Sequence, residues 1–152
     1  ATDLVSTTWE DKIRYKTVAD VTGGHNGIET RVGIAYTEGV VKQGMSLGRF
    51  VEITSANAAK IFGLYPAKGA LAVGSDADVA IIDPSINKAL SMDDLHLEDY
   101  SIWDGWPVHG WPVTTMLRGK IVVDGGKLLG SPSDGRLLSR EIASEVTSSP
   151  VC

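Results

Sequence analysis

Few residues in this chain of 152 amino acids can take part in chemistry. The three histidines, His25, His96 and His109, stand far apart, with no HxH, HExxH or helical i, i+4 pair. The chain therefore cannot build a zincin-type or dinuclear metal site from its own imidazoles. Each histidine reads best as a surface or structural residue. A second group is Gly23-Gly24-His25-Asn26-Gly27. A glycine-rich loop ahead of a helix offers backbone N–H groups to an anion or a polar heterocycle, and the same pattern also serves as a plain turn and cap. The carboxylates form the third group. Asp3 stands close to the start, Asp76 and Asp78 flank a turn at Gly74, and Asp93, Asp94, Glu98 and Asp99 form an acidic run. The turn pair reads as caps for backbone amides and the run as a solvated face. No GxSxG, GxGxxG after a strand or GxxxxGK[ST] occurs, which removes the usual warrant for acyl-enzyme and nucleotide chemistry. Cys152, the only cysteine, excludes an intrachain disulfide and a CxxC site.

Charge narrows the partners. Fourteen Lys and Arg against nineteen Asp and Glu give a net charge of -5, a poor match for nucleic acid, whose non-specific binding rests on basic residues neutralising phosphates. No run of about 18 apolar residues is present to span a bilayer, and the first ten residues lack the basic flank and apolar stretch of a signal peptide. With one cysteine, a cytoplasmic location is expected. The length suits one domain or a piece of a larger one. A start at Ala1-Thr2-Asp3, without Met, reads as a chain cut from something longer.

The elements that must position these residues follow from periodicity and punctuation. Residues 1–28 read as a long loop. Val32, Ala35, Tyr36, Val40 and Val41 recur at helical spacing within 29–43, and Gly44 is the stop. Ser46 reads as the N-cap of a short helix through Ile53, and Ser55 as the cap of another over Ala56–Phe62, ended by Gly63. Val79–Ile82 reads as a short buried strand closed by Asp83-Pro84. An irregular stretch follows over 85–110, holding a short strand near Lys88–Leu90; three of the four tryptophans crowd into 103–111 and read as packing. Residues 113–118, 120–124 and 127–129 form a meander punctuated by Gly119 and Gly125-Gly126.

Several blocks in fixed order carry a resemblance. They are Gly27-Ile28-Glu29-Thr30-Arg31, the run SANAAKIFGLYP over Ser55–Pro66, Lys68-Gly69, GSDADV over Gly74–Val79, Asp83-Pro84, and Leu117-Arg118-Gly119-Lys120. From about Ala1 to Gly130 the chain resembles the C-terminal part of the dihydropyrimidinase and D-hydantoinase family of cyclic amidohydrolases. The resemblance implies an α/β fold, the C-terminal part of a (β/α)8 TIM barrel with part of a small β-sandwich. The barrel end would take 1–67, with Asp3 at the end of the last strand, a substrate loop over 20–28 and helices over 29–63. The sandwich portion would take 68–130, and a flexible C-terminal tail 131–152. It also implies two divalent metal ions, zinc, held by four His and a carboxylated Lys from an N-terminal chain or segment, with Asp3 as the remaining ligand.

In that family Asp3 is the catalytic acid and base, placed where barrel enzymes keep their catalytic residues, and Gly23 and Gly24 contact a cyclic amide substrate through the main chain. Two positions depart from the pattern: Gly23 stands where many members carry Asn, and Leu4 where many carry His. Homo-oligomers are expected, with the tail able to reach a neighbour. Two further readings stay open: a non-catalytic oligomeric scaffold of the same descent, and a stand-alone binding module built on the meander with the tryptophan cluster as its surface.

Overall fold

The computed structural model describes residues 4, 5, 7–96 and 99–148, apart from the side chain of Glu145. Up to residue 28 the described residues are irregular, as expected, except for one short helix, α1 (Trp9–Ile13). Thr8 caps it, its hydroxyl accepting from the Asp11 N–H at 3.0 Å, the N-cap bond that satisfies an otherwise orphaned donor. Helix α2 (Arg31–Ala35) passes without a break into a wider π-helical turn, Tyr36–Lys42, and Gly44 ends it with φ +70°. The widening coincides with fully buried Thr37, whose hydroxyl bonds back to the Gly33 carbonyl at 2.8 Å, a contact that loosens helices.

Ser46 caps α3 (Leu47–Val51) as expected, accepting from Arg49 N–H at 3.2 Å. The expected break at Ser55 does not occur. A π-helical stretch, Glu52–Ala56, joins α3 to α4 (Asn57–Ile61), so one helical run covers both segments. Ser55 is followed by Ala56, Ala58 and Ala59, strong helix formers, and no other feature interrupts the run for a cap to serve. Gly63, at φ +68°, closes it, and the amides of Leu64 and Tyr65 turn back to the Ala59 carbonyl, a helix end of the left-handed glycine kind.

A four-stranded sheet follows in the order β1-β2-β3-β4. Strand β1 (Val79–Ala89) corrects two expectations. It does not stop at Asp83-Pro84 but runs through, absorbing the short strand expected near Lys88. Nor is it buried, since Ile81 is 44% exposed. The reason is its place at the sheet edge, where a proline costs no ladder bond on its open side. The meander forms, β2 (Pro107–Leu117), β3 (Lys120–Asp124) and β4 (Lys127–Leu128) pairing antiparallel in sequence, but β2 begins at Pro107 and not at 113, taking in the end of the stretch expected to be irregular. Arg118 and Gly119, at φ 48° and 79°, make the first hairpin turn, and Gly125 and Gly126, at 52° and 78°, the second. Two positive φ values in succession match the primed turn that suits strand twist.

The chain divides into two compact units. Ala1–Thr37 with Pro84–Trp111 forms the first, where Ile34, Leu90 and Val108 make a core against which Trp103 and Trp111 pack. Glu38–Asp83 with Pro112–Cys152 forms the second, with Phe50 and Ala59 buried. Lys68 ties this unit together by bonding both Asp76, at 3.0 Å, and Asp78. Residues after the meander fold back within it: Asp134 receives the Lys120 ammonium at 2.7 Å, Arg136 reaches Asp76 at 3.2 Å, and Glu141 N–H donates to the Gly63 carbonyl at 3.2 Å. A short helix, α5 (Ser144–Ser148), ends the described chain. Among the described residues no helix is long and apolar enough to cross a membrane.

Candidate functional site

The glycine loop lies in the first unit and is held from three sides. Leu4 pairs in parallel with His25, which lays the beginning of the chain along the loop. Asn26 is 1% exposed and donates from Nδ2 to the Tyr100 carbonyl at 3.2 Å. Tyr100 in turn meets Thr7 through its hydroxyl at 3.3 Å and stacks obliquely on Trp9, ring centroids 5.6 Å apart. The Trp9 N–H donates to both carboxylate oxygens of Asp99 at 3.1 Å. The acidic run read as a solvated face thus supplies an anchor for α1. From α1, Lys12 reaches back, its ammonium donating to the carbonyls of Thr22 and Gly24, each at 2.6 Å.

The far end of the loop enters α2. Buried Thr30 donates its hydroxyl to the Gly27 carbonyl at 3.2 Å. The His25 imidazole lies over Gly27, where an added Cβ would stand 2.6 Å from Nδ1, so the ring and this glycine require each other. His25 Nδ1 and Asn26 Oδ1 are buried with no partner among the described residues. Glu29, two residues further, accepts from the His96 N–H at 2.8 Å and meets His96 Nδ1 at 2.5 Å. This fastens residue 96 to the start of α2.

Of the residues singled out in the sequence, Gly23 is exposed, with open space where a Cβ would sit, and Gly24 adopts φ +81°. Asp3 lies outside the described residues, one position before the Leu4 that pairs with the loop. The histidines are not brought together: His25 covers Gly27, His96 holds Glu29, and His109 donates its backbone N–H to Thr37 Oγ1 at 3.0 Å. Among the described residues no group of three or more His, Cys, Asp or Glu could hold a metal ion. Those residues alone do not fit a metal pair.

Asp76 and Asp78 belong to the second unit and act as the turn residues they were read to be, with an ion pair added. Burial pushes the Asp78 carboxyl up, but the Lys68 ammonium and the Arg118 N–H, at 2.8 Å, outweigh it and hold the group below the usual carboxylate range. For Asp76 the Lys68 hydrogen bond is the largest influence, also downward.

Residues 7–122 match the amidohydrolase family. The chain belongs to that family. Within it, this amidohydrolase is dihydropyrimidinase-like. It is 41% identical over 121 residues to the D-hydantoinase of Ralstonia pickettii, covering 79% of this chain and 26% of that protein. It is 36% identical over 147 residues to the dihydropyrimidinase of Rattus norvegicus, covering 90% and 28%. The crystal structure of the Brevibacillus agri dihydropyrimidinase superposes with a TM-score of 0.84 at 35% identity, over 91% of this chain and 31% of that one. The amidohydrolase chain thus spans about a quarter of the length of the curated relatives it matches. The fold class, α/β with an open sheet, agrees with these neighbours.

Sequence reasoning missed Lys12, Asn26 and Tyr100, the residues that hold the loop. No motif marks Lys12 or Tyr100, and Asn26, though inside the glycine cluster, shows no sign of its bond, because the partners lie 10, 12, 74 and 93 residues away.

Proposed function

We propose that this amidohydrolase hydrolyses the C–N bond of a cyclic amide, a hydantoin or dihydropyrimidine ring, as the C-terminal part of an enzyme completed by an N-terminal segment. The observation that carries the reading is the parallel pairing of Leu4 with His25, which lays Leu4, the residue after Asp3 in sequence, alongside the glycine loop. It gains weight from 36–41% identity to proteins named for these reactions. In this reading 1–67 is the end of a barrel, 68–130 part of a β-sandwich and 131–152 a tail. The protein is cytoplasmic and homo-oligomeric. Two divalent metal ions, zinc, are assigned to the completing segment with its His and Lys ligands, Asp3 being the ligand from this chain.

The part of the reaction that falls to this chain is the proton. As water adds to the ring carbonyl, the Asp3 carboxylate accepts a proton from it; as the C–N bond breaks, Asp3 returns that proton to the ring nitrogen. The products are a carboxylate and a freed amide or ureido arm on one open chain. Gly23 and Gly24 orient the ring through their peptide groups, which need no side chain and permit close approach. The Leu4 side chain carries no polar group, so the tuning that a polar side chain at this position gives a ligand is absent and the substrate range differs accordingly.

Asp3→Asn in the full-length protein tests this. Asn keeps the shape and cannot take the proton, so ring opening of hydantoin and dihydrouracil, followed by liquid chromatography, is expected to fall by about 10²–10⁴ with unfolding unchanged. Undiminished ring opening by the variant, or none by the parent protein, refutes the assignment.

A further inference from the structure

We propose that Lys12 is a positioning residue for the substrate loop: one ammonium group grips the carbonyls of Thr22 and Gly24 and so fixes the 22–23 and 24–25 peptide groups, which bracket the Gly23-Gly24 pair. The inference rests on the reading of Gly23 and Gly24 as main-chain substrate contacts. Three observations carry it.

The two contacts are equal and short, 2.6 Å each, in the range of charge-assisted hydrogen bonds. Among the described residues Lys12 has no carboxylate partner, so its charge is spent on backbone dipoles. Next, the grip has a directional consequence. A trans peptide holds its N–H opposite its C=O. Turning the Thr22 carbonyl towards the ammonium therefore turns the Gly23 N–H away from it. That N–H has no partner among the described residues and is left for a ligand. Finally, the loop cannot hold this shape by itself. Gly23 has nothing within 4 Å of where a Cβ would stand and Gly24 sits at positive φ, so both could rotate freely without an outside restraint. The restraint is itself anchored. Helix α1 has five residues, too few to persist alone in water, and it is tied down by the Thr8 cap, by Asp99 on the Trp9 N–H and by Tyr100 on the Trp9 ring.

The experiment compares the full-length protein with Lys12→Met and Lys12→Arg. Met keeps the apolar stem and loses the charge, whereas Arg keeps donors. Lys12→Met is expected to raise KM for the ring substrate about tenfold while kcat changes less than about threefold, because the charge acts on binding and not on the proton transfer. Hydrogen exchange of peptides covering 22–25 is expected to speed up in substrate-free Lys12→Met and to return towards the parent rate in Lys12→Arg. A parent-like KM together with parent-like exchange overturns the proposal, as does a loss of kcat and KM together with a general fall in stability. Should Lys12→Met not fold, Lys12→Gln takes its place with the same readouts. If the parent opens no cyclic amide, the substrate reading falls, and the exchange difference at 22–25 still decides whether Lys12 clamps the loop.

Discussion

Gly110→Ala isolates how closely β2 approaches the π-helical turn that follows α2. Gly110 adopts φ +86°, and an added Cβ would stand 2.6 Å and 2.7 Å from Cε1 and Cδ1 of Tyr36, and 3.6 Å from the Pro84 Cα. Ordinary carbon contacts fall at about 3.5–4.0 Å, so the methyl overlaps the ring by about 1 Å. Two costs add. A non-glycine residue at positive φ costs about 1–2 kcal/mol, and forcing a packed ring aside costs about 1–3 kcal/mol. The expected loss is about 3 kcal/mol, with no compensating gain from lower unfolded-chain entropy, because alanine does not adopt φ +86° without strain.

A cycle with Tyr36→Ala separates the terms. Once the ring is gone the steric cost disappears and only the backbone cost remains. The coupling should then amount to about 1–3 kcal/mol in the direction of relief. The measurement is the urea midpoint of the four proteins at unchanged m. A Gly110→Ala protein as stable as its parent, or a cycle with no coupling, refutes the close packing of Tyr36 on this strand.

Two other perturbations concern the second unit. Gly63→Ala places a methyl 2.5 Å from the Glu141 carbonyl oxygen at a residue with φ +68°; it is expected to cost more than about 1 kcal/mol and to expose the bond after Arg140 to trypsin, and an unchanged cleavage rate would contradict the docking of residue 141 on the helix end. Acid sensitivity follows from Asp78. Its carboxyl is held below the ordinary range in the folded protein, so the stability it adds is fully present above the ordinary carboxylate pKa of about 4 and is lost as pH falls towards the lowered value. Asp78→Asn should flatten the decline in urea midpoint below about pH 4, and equal slopes in the two proteins would refute the pairing. Lys68 mirrors it. Burial pushes the ammonium down, but the bonds to Asp78 and Asp76 outweigh this and raise it, so its contribution is present below about pH 10 and fades above.

What could be read beforehand was local in origin. Ser46 as a cap, Gly44 and Gly63 as stops, and the turns at Gly119 and Gly125-Gly126 each follow from the chemistry of one or two residues. Each of them formed. The misreadings came where a local rule met a wider context. Asp83-Pro84 normally closes a strand, yet at a sheet edge the missing donor has no partner to lose, and β1 runs on for six residues to Ala89. Ser55 is a good cap only if the chain must restart a helix there, and the helix never stops.

The candidate site divides in the same way. Asp3, Gly23 and Gly24 entered through resemblance to a family, since a carboxylate and two glycines say little by type alone. The residues that give the loop its shape could not be found by any pattern. Lys12 looks like any surface lysine on a short helix, and Tyr100 like any core aromatic. Their role exists only once the fold brings 12 to 24 and 26 to 100. A main-chain binding site has this consequence in general: because the contacting atoms are identical in every residue, selectivity for the site must reside in whatever orients the peptides, and those groups are the ones a mutational scan of the loop itself would miss.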